Sequence, residues 1–137
     1  MRHDDCIFCK IANGEIPSAT IYEDDDFRVF LDLNPATRGH ALLVPKDHFA
    51  NLVELDEEHA EKAILLAKKI GSRMKEKLDC DGLNLVQNNG EAAGQTVFHF
   101  HMHLIPRYKD DHAGILWEPG KTTPEEMEEI KKLVNED

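Results

Sequence analysis

Apolar and polar positions alternate with a period of two along Thr96-Val97-Phe98-His99-Phe100-His101-Met102-His103-Leu104-Ile105-Pro106. An extended chain sends successive side chains to opposite faces. The pattern predicts a strand over Thr96–Ile105, with Phe98, Phe100, Met102 and Leu104 in a core and His99, His101 and His103 on the other face. Pro106 lacks an N–H and is expected to end the pairing. Shorter alternations predict strands over 19–23 and 27–32, joined by a turn at Glu23-Asp24-Asp25-Asp26. Apolar runs at His40–Val44 and Leu83–Asn88 read as two further strands. Ala60, Ala63, Ile64, Ala67, Ile70, Met74 and Leu78 recur at three and four, which predicts a helix over 57–78 capped by Asp56, its stripe serving core or dimer packing. His59, near its start, is expected to be exposed. A short helix over 7–13 should close on Gly14 in the left-handed conformation. Thr123-Pro124-Glu125-Glu126 supplies an N-cap, a Pro at N1 and a Glu at N3, so a last helix starts there, with Met127, Ile130 and Val134 on its apolar edge. Together these elements predict an α+β class: an antiparallel sheet with one long helix, in one domain over 1–137.

Three imidazoles on one strand face call for chemistry. Strand His-x-His pairs make good metal ligands. The outer pair, however, stand roughly 13 Å apart at about 3.3 Å per residue. A catalytic metal would therefore take two of the three, such as His101 and His103, with a ligand from elsewhere. The other reading is metal-free: a neutral imidazole attacks as a nucleophile and forms a covalent intermediate. Asn88-Asn89-Gly90-Glu91-Ala92-Ala93-Gly94-Gln95-Thr96 directly precedes the histidines. Gly94 permits close backbone approach. Gln95 and Thr96 offer N–H, amide and hydroxyl donors of the kind that cradle phosphate oxygens. The pairing of loop and histidines points to phosphorus.

Charge narrows the substrates. The 137 residues carry 27 acids against 16 bases, a net −11. That argues against a nucleic-acid polymer or an anionic membrane as partner. A single nucleotide, held by a few N–H groups, imidazoles and Lys46 or Arg107, remains compatible. Met1–Asp5 has no apolar signal core and no run reaches membrane-spanning length, so a cytoplasmic protein is expected. Three cysteines make no disulfide framework. Cys6-Ile7-Phe8-Cys9 reads equally as two small buried residues or as half of a metal site.

His99-Phe100-His101-Met102-His103-Leu104-Ile105 resembles the motif of the histidine triad (HIT) family, His-φ-His-φ-His-φ-φ with φ apolar. Asn88 with Gly94-Gln95-Thr96, Asp32-Leu33-Asn34-Pro35, and Gly39 to Lys46 also resemble that family. The resemblance spans about 6–108, leaves 109–137 as an extension, and lies nearest the Hint-like and bacterial-type members. It implies a two-fold homodimer whose sheets join. It implies that His101 attacks the α-phosphorus of an adenylate-type nucleotide, with His103, His40 and Thr96 assisting and no catalytic cofactor. Asp32 and Leu33 would hold ribose and base; Asn88, Gly94, Gln95, Thr96, His101 and His103 would hold the phosphate. In members with the two cysteines it implies a structural zinc on Cys6, Cys9, His48 and His99, with His3 as an alternative ligand. Retention of His103, where uridylyltransferase relatives carry Gln, favours a hydrolase over a sugar-phosphate transferase, and the resemblance to the Hint type implies purine nucleoside phosphoramidates as its substrates. A dinucleoside polyphosphate hydrolase is the alternative, suggested by Ile105-Pro106-Arg107. A nucleotide-binding regulatory adaptor with weak catalysis is a second. Trp117 is expected either to pack or to reach a neighbouring subunit's site.

Overall fold

The computed structural model describes residues 1–136; Asp137 lies outside the described residues. Its helices are α1 (Ile7–Ala12), α2 (Glu57–Leu78) and α3 (Pro124–Asn135), and its strands β1 (Thr20–Glu23), β2 (Phe27–Leu31), β3 (Ala41–Pro45), β4 (Gly82–Val86) and β5 (Met102–Arg107). The strands form one antiparallel sheet in the order β1-β2-β3-β5-β4. This is the predicted α+β class.

The sheet is covered on both faces, which is why β3 is apolar throughout rather than alternating. On one face α2 lays Ala63, Ala67, Ile70 and Met74 over Phe27, Val29, Leu43, Phe100 and Leu104. On the other, Phe8 and Ala12 of α1 pack on Phe30, Leu42 and Val44. Burying one such aromatic or branched side chain contributes about 1.5–3 kcal/mol. The α2 stripe matches the periodicity except that Ile64 faces out, while Leu66 and Gly71 face in. A Cβ at Gly71 would lie 2.7 Å from Leu83 Cδ2, so any larger residue there needs the Leu83 side chain to shift.

Caps set the ends as the sequence implies. Asp56 accepts from the His59 N–H at 2.7 Å, Thr123 accepts from the Glu126 N–H at 3.1 Å, and Gly14 has φ +82°. His59 differs from expectation. It is half-buried between Phe27 and Phe49, and its Nδ1–H donates to Asp56 Oδ1 at 2.9 Å.

The histidine strand also differs. Regular pairing starts only at Met102, opposite Leu43. Continued pairing would set Phe100 against Pro45, which has no N–H to offer. Residues 97–101 instead have no partner strand and bend at 97–99, tied by the Phe100 N–H to the Phe49 carbonyl at 2.6 Å. Phe98 therefore lies outside the core, 53% exposed. Pro106 does not end the strand. It pairs with Leu83 of β4, Arg107 pairs with Gly82, and only the β3 side stops at Leu104. Among the described residues no helix is long and apolar enough to cross a membrane.

Candidate functional site

The face of the sheet under α1 carries the histidines. His101 is buried, with its Nδ1–H donating to the His99 carbonyl at 2.8 Å. A neutral imidazole carries one proton, so this bond leaves Nε2 as a free lone pair. Phe8 of α1 meets the His101 ring edge-on at 4.9 Å and 89°, fixing its plane. Burial lowers the His101 pKa, against the opposing pull of the His99 carbonyl and the Asp32 charge. The ring is thus neutral at pH 7, the form a nucleophile requires.

His103 is oriented through a chain of donors that begins in the backbone. The Ala36 N–H donates to His40 Nδ1 at 2.9 Å, which places the His40 proton on Nε2. That Nε2–H donates to His103 Nδ1 at 2.9 Å, so the His103 proton sits on its own Nε2. Asp32 Oδ2 stands 3.6 Å from His40 Nε2, as a neighbouring charge rather than the hydrogen-bond partner. Burial, then the His101 and His40 rings, push the His103 pKa down to about 4, and burial lowers that of His40. His101 and His103 rings lie 5.1 Å apart, one presenting a lone pair and the other an N–H. Asp32, His40 and His103 also converge as metal-type donors within 4.8 Å. The Ala36 N–H opposes that use, because it keeps the proton on the nitrogen a metal would need. Nor does the chain build a metal seat from His101 and His103, since His103 turns to His40.

The loop before the triad is a turn of 3-10 helix, Glu91–Ala93, between Gly90 at φ +90° and Gly94 at φ +94°. Glycine suits both positions. Gln95 departs from its expected place. Its side chain, 2% exposed, accepts from the Gly90 N–H at 2.8 Å and donates to the Ala50 and Val97 carbonyls at 2.8 and 3.1 Å. Its own N–H donates to the Gly90 carbonyl at 3.1 Å, and that of Gly94 to the Glu91 carbonyl at 2.9 Å. Gln95 is a clamp that shapes the loop and has no donor left for a ligand. Thr96 is exposed, Asn88 half-buried with its amide near Gly94, and Leu33 stands 94% exposed beside Asp32. Lys46 pairs with Glu23 at 2.7 Å. The Arg107 guanidinium is engaged by Asp111, Asn84 and the Ala113 carbonyl. Trp117 is 84% exposed.

A second cluster lies under the same stretch. Cys6, at the N-cap of α1, and Cys9, one turn on, meet His48 and His99 with one donor atom each within 4.8 Å. His99 Nδ1 is 3.4 Å from both sulfurs, and His48 Nδ1 is 3.4 Å from Cys9. A tetrahedral ion with metal–sulfur and metal–nitrogen bonds of about 2.3 and 2.0 Å sets sulfur and nitrogen roughly 3.5 Å apart, so the donors already stand at ligand spacing. The His99 Nε2–H donates to the Pro45 carbonyl at 2.8 Å, which leaves Nδ1 unprotonated toward the sulfurs. Burial pushes the Cys9 thiol up and holds His99 neutral, down to about 4. His3 is not the fourth donor. Its ring lies flat on His48 at 3.8 Å, and its N–H reaches Cys9 Sγ at 3.3 Å. The residues present therefore fit a structural zinc.

Sequence reasoning had no means of finding the Ala36 N–H or the Pro45 and His99 carbonyls, because backbone groups carry no side-chain signature. Phe8 did carry a signal, as the aromatic residue inside the C-x-x-C.

Comparison with known proteins agrees with this geometry. The hit protein of Bacillus subtilis is 42% identical over 134 residues, covering 96% of this chain and 92% of its own. The adenosine 5'-monophosphoramidase HNT1 of Saccharomyces cerevisiae is 39% identical over 129 residues, covering 93% of this chain and 78% of its own. A HIT family protein from Bacillus anthracis has a crystal structure that superposes with TM-score 0.88 at 41% identity, over 96% of this chain and 95% of that one. A zinc-bound histidine triad family protein from Mycobacterium smegmatis superposes with TM-score 0.77 at 38% identity, over 85% and 84%. With the HIT domain matched over residues 13–110, the chain belongs to the histidine triad (HIT) family.

Proposed function

We propose that this protein is a nucleotide hydrolase that releases the nucleoside monophosphate from purine nucleoside phosphoramidates through a nucleotidyl group carried on His101. The observation that carries this reading is the His101 Nδ1–H bond to the His99 carbonyl, which leaves Nε2 unprotonated beside the His103 N–H. The phosphoramidase activity named for the yeast relative supports this substrate class.

The His101 Nε2 lone pair attacks the α-phosphorus, forming a phosphorus–nitrogen bond as the bond to the leaving amine breaks. The amine departs neutral, taking one proton from solvent, while the His103 Nε2–H hydrogen-bonds the reacting phosphoryl group and the His103–His40 pair stays neutral. Water then attacks phosphorus, the bond to Nε2 breaks to leave His101 as neutral imidazole, and the water's proton passes to solvent. Two in-line displacements give net retention at phosphorus. Asp32 and the exposed Leu33 would meet the nucleoside, and Thr96 and Asn88 the phosphate. Cys6, Cys9, His48 and His99 would hold zinc as a scaffold that fixes the segment from which the His99 carbonyl orients His101. Dinucleoside polyphosphate hydrolysis is the alternative reading, and comparing turnover of adenosine phosphoramidates with that of dinucleoside polyphosphates separates the two; the Arg107 guanidinium itself is engaged by Asp111 and Asn84.

Homodimer formation is supported by β4, an edge strand whose Leu83 and Leu85 are exposed, as are Ile64 and Leu65 of α2. An exposed apolar edge strand is a site for pairing with another chain.

The test is intact-mass spectrometry of rapidly quenched protein mixed with an adenosine phosphoramidate, for wild type and His101→Ala, with and without chelator. An adenylyl adduct on wild type alone, indifferent to brief chelation, is expected. Adenylate product without adduct, lost on chelation, would assign the attack to a metal-bound water. Neither adduct nor product would leave a nucleotide-binding adaptor.

A further inference from the structure

The two sulfurs of the C-x-x-C share one helical turn and differ in access. Cys6 caps α1, and its Sγ accepts from the Cys9 N–H at 3.4 Å. That bond draws Cys6 Sγ over the first turn, and the two sulfurs lie within 4.8 Å of each other. A disulfide needs about 2.05 Å between sulfurs, and rotation about the two Cα–Cβ bonds covers a gap of this size. Cys9 is buried, 1% exposed. Cys6 is half-buried and lies on the wall of an open cleft of about 400 Å³, together with Asp5, His48, Thr96 and Phe98. The third cysteine, Cys80, is buried and lines a different cleft, between α2 and β4.

This asymmetry divides the labour of a redox dithiol. A small oxidant in the cleft meets Cys6 first, and Cys9 stands behind it to resolve the product. Burial pushes the Cys9 thiol up, which disfavours Cys9 as the first attacker. Ligation to zinc would hold both sulfurs as thiolates, the form that attacks a peroxide.

We propose that Cys6 and Cys9 are a modification site, a dithiol that a small hydroperoxide closes to a disulfide, emptying the zinc cluster. The emptying rests on the zinc reading; the disulfide does not. The Cys6 sulfur attacks the outer hydroperoxide oxygen, the O–O bond breaks, and an alcohol or water leaves Cys6 as a sulfenic acid. The Cys9 sulfur then attacks Cys6 Sγ, the S–O bond breaks, and water leaves as the S–S bond forms. Each sulfur loses one electron and the peroxide takes up both. The two protons these products need are those of the thiols, or come from solvent where zinc has displaced them. A disulfide sulfur is a poor ligand, so His48 and His99 alone of the four donors would remain. The change reaches His101 by two contacts: the Phe8 ring, inside the C-x-x-C, at 4.9 Å, and the His99 carbonyl that holds its Nδ1–H.

Full-length protein treated with hydrogen peroxide tests this. It is weighed intact, then denatured, alkylated with iodoacetamide and peptide-mapped, while a chromogenic chelator reads released zinc. The expected result is a mass lower by two hydrogens, loss of two of the three alkylation sites with Cys80 still alkylated, a Cys6–Cys9 cross-link, and zinc released one for one with it. Dithiothreitol with added zinc should reverse the change. Cys9→Ser, which lacks the resolving sulfur, should trap Cys6 as a sulfenic acid that takes up dimedone. Three alkylated cysteines after peroxide, or sulfinic acids in place of the cross-link, overturn the proposal. Zinc retained beside the cross-link overturns the emptying. A cross-link in protein that elemental analysis finds free of zinc from the start upholds the dithiol and overturns the zinc reading instead.

Discussion

Replacing Gln95 separates a loop clamp from a ligand contact. Gln95→Ala removes three hydrogen bonds, to the Gly90 N–H and the Ala50 and Val97 carbonyls, from a side chain that is 2% exposed. At about 1 kcal/mol net per bond, and with water able to reach part of an opened loop, the loss is about 2–3 kcal/mol. For 137 residues the unfolding entropy is about 0.29 kcal/mol per degree, so Tm should fall by roughly 7–10 °C. Gln95→Glu should be worse than Ala at neutral pH. One oxygen could still accept from Gly90, but the other would face two carbonyls it cannot donate to. Protonation of that Glu supplies a donor, so the gap between the two variants should narrow as pH falls toward 4. Thermal unfolding of the ligand-free protein is the assay. An unchanged Tm together with a raised KM would refute the clamp and return Gln95 to the phosphate.

Cys9→Ala should lower Tm by several degrees and abolish the one equivalent of zinc expected by elemental analysis of the purified wild type, since it removes the sulfur nearest both histidines. Gly39→Ala should destabilise by about 1–3 kcal/mol in chemical unfolding, because Gly39 has φ +90° and a Cβ would lie 2.6 Å from Leu78 Cδ1. His103 has its pKa depressed to about 4 by burial, against about 6.5 when unfolded. The unfolded state therefore binds the proton first. The stability contributed is whole above pH 6.5 and lost as pH falls toward 4, by about 1–2 kcal/mol after discounting for partial exposure, and His103→Gln should flatten that limb of the unfolding curve. His40→Ala should slow turnover at least tenfold while leaving nucleotide affinity within a few fold, measured as kcat against the Kd for adenylate, because it frees His103 Nδ1 from its donor.

The elements that were legible are those whose signal is local. The α2 boundaries follow from a long three-and-four period closed by Asp56, and α3 from its Thr-Pro-Glu-Glu start. The histidine strand was legible in its chemistry and misjudged in its length. Alternation reports which way side chains point, but not whether a neighbour offers an N–H, and the neighbour here ends in Pro45. His59 was misplaced because its environment, Phe27 and Phe49, comes from other segments. Gln95 was misread because an amide that can bind phosphate is equally able to bind three backbone groups, and only tertiary placement chooses. The four residues of the sulfur–histidine cluster were legible only as the family's ligand set; 90 residues separate Cys9 from His99.

The triad shows how little of a histidine's role lies in the histidine. His99, His101 and His103 are chemically identical and two residues apart, yet each ring touches a different backbone feature. The Pro45 carbonyl takes the His99 Nε2–H, so Nδ1 faces the sulfurs. The His99 carbonyl takes the His101 Nδ1–H, so Nε2 is the free base. The Ala36 N–H, relayed by His40, fills His103 Nδ1, so Nε2 keeps its proton. The tautomers thereby suit one ring to donate to a metal, one to attack and one to donate a hydrogen. The first two settings share a residue: the carbonyl that orients His101 belongs to His99, whose ring sits in the cluster. A backbone shift at His99 when the cluster loosens would move its ring and its carbonyl together. Loss of metal should therefore reach the nucleophile through one peptide unit, and the 2.8 Å bond from His101 is where it would first be seen, as a change in the His101 tautomer reported by its ring-nitrogen NMR shifts.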